Sequence, residues 1–161
     1  MAKVINEKEF KESLSRFPTG VSVVTTISGA KLVGFTANSF TSVSLIPPMV
    51  SFCLDNQAGC MDHFSNSDVF AVSILAANQE EISKHFSSGQ QNKFTNINYE
   101  IGTDTRCPLI GGAICYIECS KVHEFAGGDH TIFLGKVIST KINNNLNPLI
   151  YFAHKYFKLE Q

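Results

Sequence analysis

Residues 34–48, Gly-Phe-Thr-Ala-Asn-Ser-Phe-Thr-Ser-Val-Ser-Leu-Ile-Pro-Pro, constrain this chain more than any other stretch. They follow a β-rich run and are crowded with hydroxyls. They carry small side chains around Ala37 and close on Pro47-Pro48 before an apolar segment at 49–54. Short polar side chains leave backbone N–H groups accessible, and their hydroxyls add donors. Such a surface suits a flat, acceptor-rich ligand with an anionic tail. The same composition also suits a plain hydroxyl-rich connection between strands, so the stretch by itself leaves both readings open.

The totals bound the rest. A length of 161 residues implies one domain over 1–161, large enough for a genuine core. Hydrophobic residues at 43% and charged residues at 17% match a compact fold rather than a disordered chain. With no Trp, the 13 Phe must supply much of that core. The net charge of −1, without a Lys/Arg cluster, gives no electrostatic footprint for nucleic acid. No apolar run approaches the roughly 20 residues of a membrane span. The opening Met-Ala-Lys-Val-Ile-Asn-Glu has no secretory apolar region, so the cytoplasm is the default. Five cysteines, an odd number without framework spacing, imply reduced thiols.

In chain order, residues 6–16 read as an amphipathic helix, with Asn6 as cap, Glu9 at the capping-box position, and Phe10, Leu14 and Phe17 at helical spacing. Pro18 and Gly20 stop it. Residues 21–27 and 31–36 read as a hairpin about Ser28-Gly29, and 49–54 as a third strand. A helix is expected at 58–65 and a buried strand at 69–75. A second capped helix starts at Asn78, with Glu81 three residues on and Ile82 and Phe86 inward. The polar, Gln/Asn-rich run 87–105 reads as a long excursion, a lid or interface arm. Residues 113–125 and 131–141 form two long strands joined by Ala126-Gly127-Gly128-Asp129. A turn over 143–147 and a short strand over 148–152 lead to a Tyr/Phe-rich tail. About six closely spaced strands with two or three helices indicate a helix-decorated β-barrel.

The usual cofactor and nucleophile signatures are missing: there is no G-x-G-x-x-G, no P-loop and no nucleophile-elbow Ser. Cys115, Cys119 and His123 resemble a metal set, but residues four apart on a strand are about 13 Å apart. Zinc needs bonds of roughly 2.0–2.3 Å, so core cysteines are the better reading and no metal site is assigned. Gly128-Asp129-His130 places a His beside an Asp at a hairpin mouth, suited to donating a hydrogen bond to a ligand or to acid chemistry; an ordinary exposed turn is the plainer alternative. His85, Phe86 and Lys93 flank the polar excursion, where a Lys suits a phosphate. Tyr151, Tyr156 and Phe157 read as packing residues, with one of them lining a ring-shaped ligand as the alternative.

Taken together, these stretches resemble the short-chain flavin reductases. Phe17-Pro18-Thr19-Gly20-Val21 with Val23-Val24-Thr25-Thr26 is similar to that family's opening. Gly34-Phe35-Thr36-Ala37-Asn38-Ser39-Phe40, Ser42-Val43-Ser44-Leu45 and Pro47-Pro48 resemble its flavin-binding segment. Gly128-Asp129-His130-Thr131 and Gly135-Lys136-Val137 resemble its nicotinamide-side motif, and Pro148-Leu149-Ile150-Tyr151 with Tyr156 its ending. The resemblance runs from about Phe10 to Tyr156. It implies a mainly β fold with helices, the FMN-binding split β-barrel of Greek-key type, as a homodimer. It implies reduction of FMN or FAD by NADH or NADPH, with hydride passing from nicotinamide C4 to flavin N5. Many family members hand the reduced flavin to a separate monooxygenase.

Carried over by position, Thr36, Ala37, Asn38 and Ser39 would contact the isoalloxazine and ribityl chain. Ser51, Phe52 and Cys53 would form the strand beneath the flavin. His85, Phe86 and Lys93 would lie near the phosphate or adenosine end. His130 would face the nicotinamide as the catalytic residue, with Pro18 and Thr19 bordering it. The 87–105 segment departs most from the family pattern, keeping only the basic-aromatic pair Lys93-Phe94. The alternative is a flavin-binding electron carrier or store without nicotinamide turnover, against which Gly128-Asp129-His130 argues. A barrel with no ligand is a third reading.

Overall fold

Ser22–Ser28 is a mostly β-branched run whose first five residues are buried, so both of its faces are covered. In the computed structural model, which describes residues 5–143 and 146–159, this strand lies in a curled sheet with a helix packed over it. The elements are α1 (Glu7–Ser15), β1 (Thr19–Gly20), β2 (Ser22–Ser28), β3 (Lys31–Ala37), β4 (Thr41–Leu45), β5 (Pro48–Asp55), α2 (Met61–Ser65) and β6 (Val69–Ile74). Then come α3 (Glu80–Ser87), β7 (Tyr99–Ile101), β8 (Pro108–Ile110), β9 (Cys115–Gly127), β10 (His130–Ile142), β11 (Leu149–Phe152) and β12 (Lys155–Lys158).

Seven strands form the main sheet in the order β3-β2-β6-β9-β10-β5-β4, with antiparallel neighbours throughout. Small sheets β1-β11-β12 and β7-β8 lie beside it. The main sheet curls until Phe35 of β3 meets Phe52 of β5, ring centroids 5.7 Å apart. The fold is thus a mainly β split barrel with, among the described residues, three helices. Its interior is aromatic. Phe52 stacks on Phe133 at 5.0 Å and 8°, and meets Phe70 edge-on at 5.0 Å. All three are buried, and truncating one such side chain costs about 3–5 kcal/mol. A second cluster of Val21, Val23, Leu75, Phe86, Ile110 and Leu149 fixes α3 against the outer face of β2. The buried Thr25 and Thr26 hydroxyls donate to Pro108 O (2.6 Å) and Val69 O (2.7 Å), so these polar groups are satisfied.

Several expectations are corrected. Among the described residues there are twelve strands rather than about six. Local pattern missed the short β1 and β8, β4 inside the hydroxyl-rich stretch, β7 inside the polar excursion, and β12 in the tail. Asn78 does not cap α3. Gln79 holds that position, and its side chain accepts from Ala76 N (2.9 Å) while donating to Gly111 O (2.9 Å). The first helix is capped by Asn6 as expected, but none of its residues is buried. Phe10, Leu14 and Phe17 remain 51%, 56% and 71% exposed, because nothing else among the described residues covers that face. Cys119 is fully buried and Cys115 half-buried, in keeping with core cysteines, while His123 lies in the exposed outer half of β9. The first four residues, and residues 144 and 145 of the 143–147 turn, lie outside the described residues.

Gly135 sits at a bulge in the β9–β10 pairing, with Phe70 directly over its Cα. A Cβ there would run into the Phe70 ring and approach Cys119 Cβ to 3.1 Å. Gly135→Ala is expected to cost about 1–3 kcal/mol, read as a lower urea midpoint with unchanged slope. A midpoint equal to the wild type contradicts this packing.

Candidate functional site

β3 pairs with β2 on one side only. On the other side its neighbour across the barrel is β5, yet the two strands form no ladder. An edge strand of this kind presents a row of unpaired backbone N–H and C=O groups. Here that edge opens into a cleft of about 820 Å³, within the range of small-molecule sites. Lys31 to Ser39 line its length. One wall is the C-terminal turn of α3 with the following loop, Phe86 to Lys93; the other is Ala58 to Cys60 with His63 of α2. Cys53 to Asp55 and His130 close one end.

Individual hydrogen bonds hold the seam in this form. Ser39 Oγ accepts from Cys53 N at 3.0 Å and donates to Cys53 O at 3.2 Å, so one hydroxyl replaces a rung of the missing ladder. Thr36 Oγ1 donates to Ser83 O at 2.6 Å and ties β3 to α3. Gly34 lets Phe86 come close, since a Cβ there would lie 3.1 Å from the Phe86 ring. With both hydroxyls engaged, the free groups along the floor are backbone amides and carbonyls and the exposed Asn38.

The two ends of the cleft differ in charge. At one end the two-residue turn Gly128-Asp129, with Gly128 at φ 78°, carries His130. Asp129 Oδ1 lies 2.7 Å from His130 Nδ1, an acceptor that places the ring proton on Nδ1 and leaves Nε2 free. That same bond is the main reason the exposed Asp129 carboxyl is held below its usual value. Asn56 anchors the turn. Its N–H donates to Asp129 O (2.9 Å), its amide to Gly128 O (3.3 Å), and it accepts from the Thr131 hydroxyl (2.8 Å). At the loop end, the Lys93 ammonium donates to Phe86 O at 2.6 Å, and burial pushes its pKa down. Burial likewise pushes the nearby Cys60 thiol up. Lys31 Nζ lies 3.1 Å from His63 Nε2.

Of the site residues expected from sequence, Thr36, Ala37, Asn38, Ser39, Cys53, Phe86, Lys93 and His130 line this one cleft. The others lie elsewhere. Phe52 alternates inward to the aromatic core, and Ser51 pairs between Thr41 and Leu134. His85 sits behind the wall, its Nε2 2.7 Å from Lys93 O, where it shapes the loop. Pro18 and Thr19 are outside the lining, with Thr19 paired to Tyr151 on β11. Sequence reasoning missed Lys31, Asn56, Cys60 and His63. Each reaches the site through a contact 30 or more residues away or through a short loop, and no local motif marks them.

The Ser39 seam gives a test. Ser39→Ala leaves the Cys53 amide without its acceptor, at a cost of about 1–3 kcal/mol, and speeds hydrogen exchange at that amide. Unchanged stability together with unchanged exchange at Cys53 contradicts the role given to this hydroxyl.

Comparison with known proteins bears directly on this cleft. The model of a family described as flavin reductase like domain matches residues 14–160. The chain is 43% identical over 127 residues to an NADH-dependent FAD reductase of Streptomyces globisporus, covering 76% of this chain and 69% of that one. It is 31% identical over 159 residues to the reductase subunit of a flavin-dependent monooxygenase of Rhodococcus jostii, covering 99% and 81%. Among solved structures it is similar to the NADH:FAD oxidoreductase of Streptomyces globisporus C-1027 in complex with NAD and FAD fragments. That match has a TM-score of 0.92 and 35% identity, over 99% of this chain and 98% of that one.

Proposed function

The chain belongs to the flavin reductase like domain family, and from that premise we propose that it is an NAD(P)H:flavin oxidoreductase acting on FMN or FAD. The observation that carries this reading is the open β3 edge inside a cleft with His130 at one end and Lys93 toward the other. The residues present fit a flavin. A flat heteroaromatic edge of alternating donors and acceptors matches a row of backbone N–H and C=O groups. The Lys93 ammonium, which donates to Phe86 O and meets no carboxylate among the described residues, suits a phosphate.

Hydride acceptance from a dihydronicotinamide is the chemistry that a bound flavin supplies. The chain's own part is placement and polarity. Backbone groups from Thr36 to Ser39 would orient the ring system, and their N–H groups would supply donors to its acceptors. Cys53 would border the ring, and Phe86 and Lys93 would hold the phosphate end. His130, with its Nδ1 proton fixed by Asp129, offers Nε2 to the nicotinamide carboxamide or pyrophosphate. Holding two rings in contact contributes several kcal/mol through orientation alone. No covalent nucleophile is required.

The wider reading follows from the same premises. One domain spanning 1–161 carries the activity. The uncovered face of α1 and the tip of the β4–β5 hairpin, where Leu45 and Ile46 are 87% and 94% exposed, support a homodimer. The match to a monooxygenase reductase subunit supports delivery of reduced flavin to a partner monooxygenase. The five free cysteines favour the reducing cytoplasm. Among the described residues no helix is long and apolar enough to cross a membrane.

Oxidation of NADH and NADPH followed at 340 nm, with and without added FMN or FAD, tests the function. Turnover that depends on added flavin is the expected result. A yellow protein without turnover would replace the reductase by a flavin carrier. His130→Ala is expected to raise KM for the nicotinamide donor several-fold while leaving flavin affinity within twofold; equal losses on both would remove His130 from the donor side.

A further inference from the structure

The cleft does not end at Lys31. A second, shallower depression of about 690 Å³ continues from it, lined by Ser28, Ala30, Thr95, Phe94 and Tyr99. The two hollows share Lys31, Leu32 and Asn92, so together they form one path around the start of β3. The floor from Lys31 to Ala37 spans about 20 Å at the rise of an extended strand. The second hollow therefore opens at the end remote from Asn38 and Ser39.

Its chemistry differs from that of the first. Phe94 and Tyr99 meet edge-to-face, centroids 5.3 Å apart at 77°, and both rings are half-buried in the wall. Phe94 is itself braced on Phe86 at 5.2 Å, which fixes the pair relative to the main cleft. Half-exposed aromatic rings are stacking surfaces for a nucleobase. At the junction stands Lys31. It is exposed, its ammonium lies 3.1 Å from His63 Nε2, and no carboxylate among the described residues pairs with it. A positive group between a ring-binding floor and an aromatic hollow is placed for a bridging phosphate.

We infer that the hollow lined by Phe94, Thr95 and Tyr99 binds the adenosine half of FAD, with Lys31 on the pyrophosphate, so that this chain prefers FAD to FMN. The inference rests on the flavin reading above and adds the choice between the two flavins. It also separates two tasks: Lys93 faces the phosphate common to both flavins, and Lys31 the phosphate found only in the dinucleotide.

Isothermal titration of the whole protein with FAD, FMN and riboflavin tests it. The wild type is expected to bind FAD at least fivefold more tightly than FMN. Thr95→Trp, which fills the hollow from an exposed position, and Lys31→Met are each expected to weaken FAD about tenfold. Both should leave FMN and riboflavin within twofold. Tyr99→Ala, which removes a stacking face without adding bulk, is expected to weaken FAD alone. Equal wild-type affinity for FAD and FMN, or variants that shift both flavins together or neither, overturns the inference and leaves the flavin reading intact. A wild type that binds no flavin overturns both.

Discussion

The backbone of β3 is hydrogen-bonded on one side and open on the other, and the rest of the site depends on that asymmetry. A closed barrel would satisfy those groups with β5. Here side chains keep the two strands together without a ladder. Phe35 packs on Phe52 and Phe64 inside, and the Ser39 hydroxyl bonds both the N–H and the C=O of Cys53 at the end of the seam. Unpaired backbone groups at a sheet edge are ordinarily a hazard. In this chain α3 and the loop after it, together with the segment 58–63, stand on either side of the open edge. The edge therefore becomes the floor of a cleft.

The aromatic core explains why the seam stays open. Phe52, Phe64, Phe70 and Phe133 fill the barrel with large rings in mutual contact. On the outer side, Phe86 packs so closely over Gly34 that α3 is held against β2 and β3. The loop beyond α3 is then tied back by His85 to Lys93 O and by Lys93 to Phe86 O. Two residues assigned from sequence to ligand contact thus differ in kind. Lys93 faces the cleft, while His85 holds the loop that presents Lys93.

Sequence pattern made the local elements legible and left the long-range ones obscure. The β2–β3 and β9–β10 hairpins were readable because Gly29 and Gly128 mark turns between runs of alternating or β-branched residues. The 34–48 segment was readable as a motif, and its residues Thr36, Ala37, Asn38 and Ser39 share one cleft with four other assigned residues, Cys53, Phe86, Lys93 and His130. Phe52 was misplaced relative to that cleft because neighbours on a strand face opposite sides, and only the observed register shows that Cys53 is the outward one. The helix α1 has a proper apolar stripe, yet periodicity cannot say whether the covering partner lies in the same chain. Lys31, Asn56 and His63 carry no local signal, since each acts across a fold contact: Lys31 with His63, Asn56 with the turn before His130.

The central claim is that the open edge of β3 is the ligand-binding surface. Amide hydrogen exchange of the whole protein with and without saturating FMN tests it most directly. The account predicts slower exchange at backbone amides within 31–39 on adding FMN, with no change along the other edge strand, β4, at 41–45. Protection missing from 31–39, or spread equally over both edges, would contradict it.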